Sequence, residues 1–292
     1  MSAPLGVEKA RDAAPGVDCH GTSHVGRVRE RNEDRFAIAT LRQGARIVQT
    51  NVEDDGLAAR LARPDAHVFI AADGVAGRDA GDAASRVAIG TMVEYLAEAA
   101  RCYQGDDAVA EQAFIDRLTA GVERAHERLV ATYGGQRGPA TTFTMVTLVW
   151  PRAYVVHVGD SRGYLLRRGR IRRFTADQTM GALAVDGGLV TEEQAARRGL
   201  DDILASAVGH DIAPAVGVLD LEPGDALLLC TDGLTKHVAD ARIAELLAAA
   251  PDAAAACEAL VQEALEQGGR DNVTVVVARA AGRQAGAGMS PP

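Results

Sequence analysis

The sequence reads as an α+β fold in which antiparallel sheets carry helices on their faces. Three observations predict it. Strand-like apolar runs are bunched, four of them in succession between 141 and 174, instead of alternating one for one with helices as in a doubly wound fold. Apolar residues spaced three and four apart gather in two long stretches, 79–101 and 107–133, and two shorter ones, 239–249 and 252–267. Arg168-Gly169 separates two short strand-like runs and forms the turn of a hairpin.

In chain order, residues 1–16 are small, polar and proline-containing and read as a flexible leader. Strands are expected at 17–27 and 34–40, flanking the charged segment VRERNED, and again at 44–50. The polar stretch 51–66 reads as a loop inserted within one domain. A buried strand follows at 67–72, then the two long helices. The dense strand zone comprises 141–150, 153–159, 163–169 and 170–174, and a mixed segment runs from 175 to 212. Strands over AVGVLDL and DALLLCT precede the two shorter helices, and a strand at 272–280 closes a single domain spanning 17–280. Residues 281–292, rich in Gly, Ala and Pro, read as a flexible tail.

Composition narrows the function. With 47% hydrophobic and 24% charged residues, the chain has material for a globular core, and at 4% aromatic that core is built from Val, Leu and Ala. A net charge of −9 argues against a broad basic surface for nucleic acid or anionic lipid, so an anionic substrate must be attracted locally. Cys19, Cys102, Cys230 and Cys257 form no CxxC pair, which suits a reduced, cytoplasmic protein. Neither a signal peptide nor a membrane-spanning run is evident.

The chemistry gathers at strand ends. HVFIAADGVAG at 67–77 is an apolar run broken by Asp73-Gly74, LLLCTDGLT at 227–235 ends in Asp232-Gly233, and VVHVGDSRG at 155–163 ends in Asp160. Asp271 stands just before NVTVVVA. A carboxylate at a strand tip, next to the bare carbonyl of a glycine, can present hard oxygens to one or two cations. Asp-Gly is also a common hairpin turn, so the proposal rests on recurrence: four such aspartates, far apart in sequence, suggest one carboxylate-rich site.

The segments GRVRERNED, ADGVAG, GDSRG, CTDGL and GGRDNVTVVV occur in the order and approximate spacing of the metal-dependent protein phosphatases (PPM, type 2C serine/threonine phosphatases), and from about residue 18 to 280 the chain resembles that family in its bacterial form. The resemblance implies a four-layer αββα sandwich, two antiparallel sheets flanked by helix pairs. It implies two Mg²⁺ or Mn²⁺ ions at one end of the sandwich, with a third a possibility, and hydrolysis of phosphoserine and phosphothreonine on proteins by a water held at the binuclear centre. By the same resemblance, Asp73 bridges the metals, the Gly74 carbonyl binds one, and Asp232 and Asp271 bind the other. Glu33 and Asp34 orient waters, Glu33 with the further option of direct ligation, Arg29 grips the phosphate, and Asp160 matches the aspartate used for an additional, weaker metal. Partners are then phosphorylated proteins and an opposing serine/threonine kinase, with the enzyme a monomer in cytoplasmic signalling.

Plainer readings stand beside these. Arg29 taken alone is a solvated charge, Asp160 could cap a turn or pair with Arg162, and Asp271 could merely begin a strand. His157 reads as a satisfied core histidine, and Thr141 and Thr142 as close-packing residues without chemistry. Two departures from the family bear on activity. Val75 stands where many eukaryotic members place a histidine thought to protonate the leaving group, which leaves the general acid unidentified. The flap, about 178–212, keeps Val190-Thr191-Glu192-Glu193, with Thr191 as a helix N-cap, but is altered from Arg197 to Ile203, and Asp177-Gln178 replaces the usual Asp-His ahead of it. Those changes point to substrate choice more than to the metal centre. The rival functions are a catalytically weak phosphoprotein-binding adaptor of the same fold and an unrelated carboxylate-metal hydrolase. The latter as a haloacid-dehalogenase-type enzyme needs a D-x-D motif that ADGVAG does not provide.

Overall fold

A computed structural model describes residues 16–41, 66–75, 81–99, 108–135 and 138–280. The strands are β1 (Val17–His24), β2 (Arg35–Leu41), β3 (Ala66–Ala72), β4 (Gly74–Val75), β5 (Ala140–Thr141), β6 (Phe143–Val149), β7 (Arg152–Val158), β8 (Arg162–Arg167), β9 (Arg170–Arg173), β10 (Ala215–Asp220), β11 (Ala226–Cys230) and β12 (Val273–Ala280). The helices are α1 (Gly81–Ala99), α2 (Ala108–Tyr133), α3 (Met180–Asp186), α4 (Glu192–Arg197), α5 (Asp232–Thr235), α6 (Asp240–Ala249) and α7 (Ala253–Glu266), with a 3₁₀ turn at Leu200–Asp202. The expected strand at 44–50 and nearly all of the loop at 51–66 lie outside the described residues, as do the leader before Gly16 and the tail after Ala280.

Two five-stranded sheets, ordered β1-β12-β11-β8-β9 and β10-β7-β6-β3-β2, are antiparallel throughout. Their strands read as nearly continuous apolar runs because both faces are covered. Along β3, Val68, Ile70 and Ala72 face α1 and α2 with Met92, Leu118 and Leu129, whereas Phe69 and Ala71 face the other sheet. Along β11, Leu228 and Cys230 pack under α6 and α7 with Ile243, Leu247 and Leu260, and Leu227 and Leu229 join Phe69 and Val276 between the sheets. The result is the αββα sandwich.

Local chemistry accounts for the element ends. Arg168 (φ 51°) and Gly169 (φ 77°) both adopt positive φ, closing the β8–β9 hairpin in the sense that matches strand twist. Thr191 caps α4 through a full capping box with Gln194, and the Asp252 side chain accepts from Ala255 N at the start of α7. Two boundaries differ from expectation. β1 stops at His24, after which residues 25–34 leave the sheet and Arg27 N bonds Gly269 O at 2.7 Å. The run at 141–150 is broken at Thr142, whose N–H turns to the Asp73 carbonyl at 2.9 Å, so β5 pairs with β4 in a separate two-stranded ribbon.

Candidate metal centre

Asp73 follows the last residue of β3, and its backbone is clamped. Its N–H donates to Thr142 Oγ1 (2.9 Å), and its carbonyl accepts from Thr142 N (2.9 Å) and Thr141 Oγ1 (2.8 Å). Thr142 Oγ1 is in turn 2.7 Å from Ser161 Oγ. The two threonines therefore do more than pack closely: they fix the direction in which the carboxylate leaves the strand. Gly74 then passes against Gly81, the first residue of α1, so tightly that a Cβ built on Gly81 would stand 2.6 Å from the Gly74 carbonyl oxygen and 2.9 Å from Glu33 Cδ. Bare backbone on both sides leaves room for Glu33.

Asn272 holds the 25–33 loop in place. Its Oδ1 accepts from Glu33 N at 2.8 Å, and its Nδ2 donates to Val25 O at 2.9 Å and Arg31 O at 2.8 Å. Ser85 Oγ donates to Glu33 O at 2.7 Å. Beneath it, Asp34 is fully buried, with Oδ2 accepting from Thr231 Oγ1 at 2.8 Å, while its Oδ1 has no hydrogen-bond partner. Asp232, which the sequence placed at a strand tip, instead opens the one-turn helix α5, and the next residue must be glycine, since a Cβ on Gly233 would overlap the Asn272 carbonyl. Asp232 Oδ1 is buried without a hydrogen-bond partner, and Oδ2 lies 2.6 Å from Lys236 Nζ. Asp271 accepts Arg29 side-on, Nε to Oδ1 at 2.8 Å and Nη2 to Oδ2 at 2.9 Å.

The fold holds these carboxylates close enough to repel one another. Asp73 is pushed well above the usual carboxylate range, first by removal from water and then by the charges of Asp34, Asp232, Asp160 and Asp271. Asp34 is raised to about 7 by burial, opposed by its hydrogen bonds from Thr231 and Thr274 and reinforced by Asp232. Asp160 is raised to about 7 by burial and then by Asp232, with Lys236 opposing. Four strand-associated aspartates from distant parts of the sequence thus feel one another, and Asp34 joins them. Among the described residues no three acidic, histidine or cysteine side chains already close around a single point. Two of the carboxylates carry a cationic side chain instead, Arg29 on Asp271 and Lys236 on Asp232. The unpartnered buried oxygens of Asp34 and Asp232, in an all-oxygen donor set, fit hard divalent cations.

Other expectations resolve differently. Arg162 does not pair with Asp160: it grips Asp177 bidentately, Nε to Oδ1 at 3.0 Å and Nη2 to Oδ2 at 2.7 Å, because the hairpin beyond β8 returns the chain to its side. Gln178 anchors the start of the flap, accepting from Gly159 N and donating to Ala213 O, both at 2.9 Å. His157 is the satisfied core histidine expected, with Nε2 3.0 Å from Ala176 O and Nδ1 2.9 Å from Thr144 Oγ1. A cavity of about 530 Å³ runs from Asp160 and Asp232 under the flap, past Arg162, Asp177 and Asp202. A second, of about 440 Å³, is lined by Val75, Ile203 and His210, whose Nε2 is 2.9 Å from Gly138 O. Sequence reading assigned no role to Asn272 or Lys236.

Residues 21–270 match the family model described as Protein phosphatase 2C. The serine/threonine protein phosphatase PstP of Mycobacterium tuberculosis (strain ATCC 25618 / H37Rv) is 34% identical over 238 residues, covering 80% of this chain and 43% of that relative, so this chain matches less than half of its length. Serine/threonine phosphatase stp of Listeria innocua is 27% identical over 212 residues, covering 72% of this chain and 83% of the relative. The crystal structure of the M. tuberculosis phosphatase PstP/Ppp superposes with a TM-score of 0.69 at 31% identity, covering 91% of this chain and 99% of that one. The catalytic domain of PstP in complex with 2 manganese ions superposes with a TM-score of 0.67 at 30% identity, covering 91% and 98%.

Proposed function

This chain belongs to the protein phosphatase 2C family, and from that premise we propose that it hydrolyses phosphoserine and phosphothreonine on proteins at the carboxylate cluster of Asp73, Asp232 and Asp271. The single observation that carries the reading is that Asp34, Asp160, Asp232 and Asp271, from separate strand ends and from α5, all raise the proton affinity of Asp73, while buried oxygens of Asp34 and Asp232 lack partners. Bound there, a pair of Mg²⁺ or Mn²⁺ ions would supply an acidified water and neutralise phosphoryl charge.

The chain's own residues divide the remaining work. Asp73, the Gly74 carbonyl, Asp232 and Asp271 would hold the two cations. Glu33, held by Asn272 and Ser85, and buried Asp34 orient water by accepting its hydrogens. Arg29 is half exposed on the rim and engages Asp271 through Nε and Nη2; Nη1 has no partner among the described residues and is available to a phosphoryl oxygen. With the net charge at −9, this arginine and the cations supply the local attraction that the surface does not. The substrates are phosphoproteins made by serine/threonine kinases, and the protein acts as a monomer in the cytoplasm. No helix among the described residues is long and apolar enough to cross a membrane.

The test is hydrolysis of a phosphothreonine peptide with Mn²⁺. Turnover is expected to vanish with chelator and to fall by roughly 10²-fold or more in Asp232→Asn, a loss of transition-state charge stabilisation of the usual size. Metal-independent turnover, or full activity in the variant, rejects the mechanism. Phosphopeptide binding without turnover selects the adaptor reading.

A further inference from the structure

Asp232 divides its two oxygens between different neighbours. Oδ1 is buried and unpartnered, whereas Oδ2 receives Lys236 Nζ at 2.6 Å. Lys236 ends α5, one turn beyond Asp232, and its ammonium also reaches Asp202 Oδ1 at 3.3 Å, in the 3₁₀ turn of the flap. Asp160, Asp202, Asp232 and Lys236 line the same cavity of about 530 Å³. Although burial opposes its charge, Lys236 is held above its ordinary value by Asp232 and then Asp202, and it in turn opposes the raised proton affinity of Asp160. We propose that the Lys236 ammonium is a resident cation at the Asp160–Asp232 end of the flap cavity, so that this chain binds two divalent ions and Asp160 holds no third.

The inference rests on the two-metal reading of the same site. The physical reason is exclusion. A divalent ion bridging Asp160 and Asp232 would meet, in a partly enclosed site, the repulsion of a positive charge already at hydrogen-bond distance from Asp232. The lysine meets the cavity's need for positive charge without metal, and through Asp202 it fastens the flap turn to a ligand of the metal centre.

Counting bound Mn²⁺ by calorimetric titration and by electron paramagnetic resonance, on the full chain, tests this without reference to turnover. Two ions per chain are expected in the wild type and in Asp160→Asn. A further, weaker ion is expected in Lys236→Met, lost again in Lys236→Met/Asp160→Asn. Three ions in the wild type falling to two in Asp160→Asn would overturn the proposal, as would Lys236→Met remaining at two. Should Lys236→Met fail to fold, the comparison of wild type with Asp160→Asn decides by itself. A wild type that binds fewer than two ions rejects the two-metal reading and this inference with it, which separates the two failures.

Discussion

Asn272 commits its whole side-chain amide to backbone atoms of the 25–33 loop, at Val25, Arg31 and Glu33, and so aims Glu33 and Arg29 without touching substrate. Replacing it by alanine leaves three partly buried peptide groups without their partner, at a cost of up to about 1–3 kcal/mol for each that water cannot reach. Asn272→Ala is expected to lower the denaturant midpoint and weaken Mn²⁺ binding together; an unchanged Mn²⁺ titration would deny it the positioning role. His157 acts on stability alone. Ala176 O can only accept, so Nε2 carries the proton and neutral Nδ1 accepts from Thr144, while burial holds the ring's pKa below its ordinary 6.5. Because the folded value is depressed, the unfolded chain binds the extra proton first: stability is full above about pH 6.5 and is lost as pH falls below it. Between pH 7.5 and 5 the raised carboxyls of Asp34 and Asp160 contribute in the opposite sense, so the imidazole is read by difference: the stability of wild type relative to His157→Gln, from urea titrations, is expected to fall as pH falls.

Between elements, β4 packs tightly against the first turn of α1 at the site. A Cβ on Gly81 would press on the Gly74 carbonyl and on Glu33, so Gly81→Ala is expected to move the strand tip. Alanine itself favours helix, so α1 should lose nothing by the change. The predicted outcome is a loss of Mn²⁺ affinity of roughly 10-fold or more with helical circular dichroism unchanged, since about 1.4 kcal/mol of displaced ligand geometry suffices for that factor. Loss of both signals would mean that the glycine serves packing rather than the site. The same junction shows the limit of reading periodicity: 141–150 looks like one strand because all of it but Met145 and Leu148 is β-branched or aromatic, yet Thr142 leaves the ladder to hold Asp73.

For the molecule as a whole, the sandwich brings negative charge to one place and leaves it under-compensated. Cations that bind the native cluster and not the unfolded chain must stabilise the fold, by about 2.7 kcal/mol at a concentration 100-fold above the dissociation constant. Thermal unfolding followed with increasing Mn²⁺ is therefore expected to shift upward, to revert with chelator, and to shift less in Asp232→Asn. A midpoint indifferent to Mn²⁺ would mean that the aspartates do not form a native cation site. The stabilisation has a rigid frame to act on, because the sheets share a buried layer of Phe69, Val146, Leu227, Leu229 and Val276.

Apolar runs that end in Asp73-Gly74 and Asp232-Gly233, and helical spacing beyond them, are local patterns, so the sequence by itself determined most of the described strands, the four longer helices and the acids at the strand ends, though not the one-turn helix that Asp232 opens. Which charge answers which was decided in three dimensions. Arg162 and Asp160 are neighbours in sequence, yet Arg162 pairs with Asp177; Asn272 reaches residues at the other end of the chain; and Lys236 meets both Asp232 and Asp202. The lysine was in part legible, being four residues after Asp232, but that spacing has meaning only once α5 is known to be a helix. Coulomb and hydrogen-bond energies depend on separations of a few ångströms between atoms that only the packing of two sheets brings together.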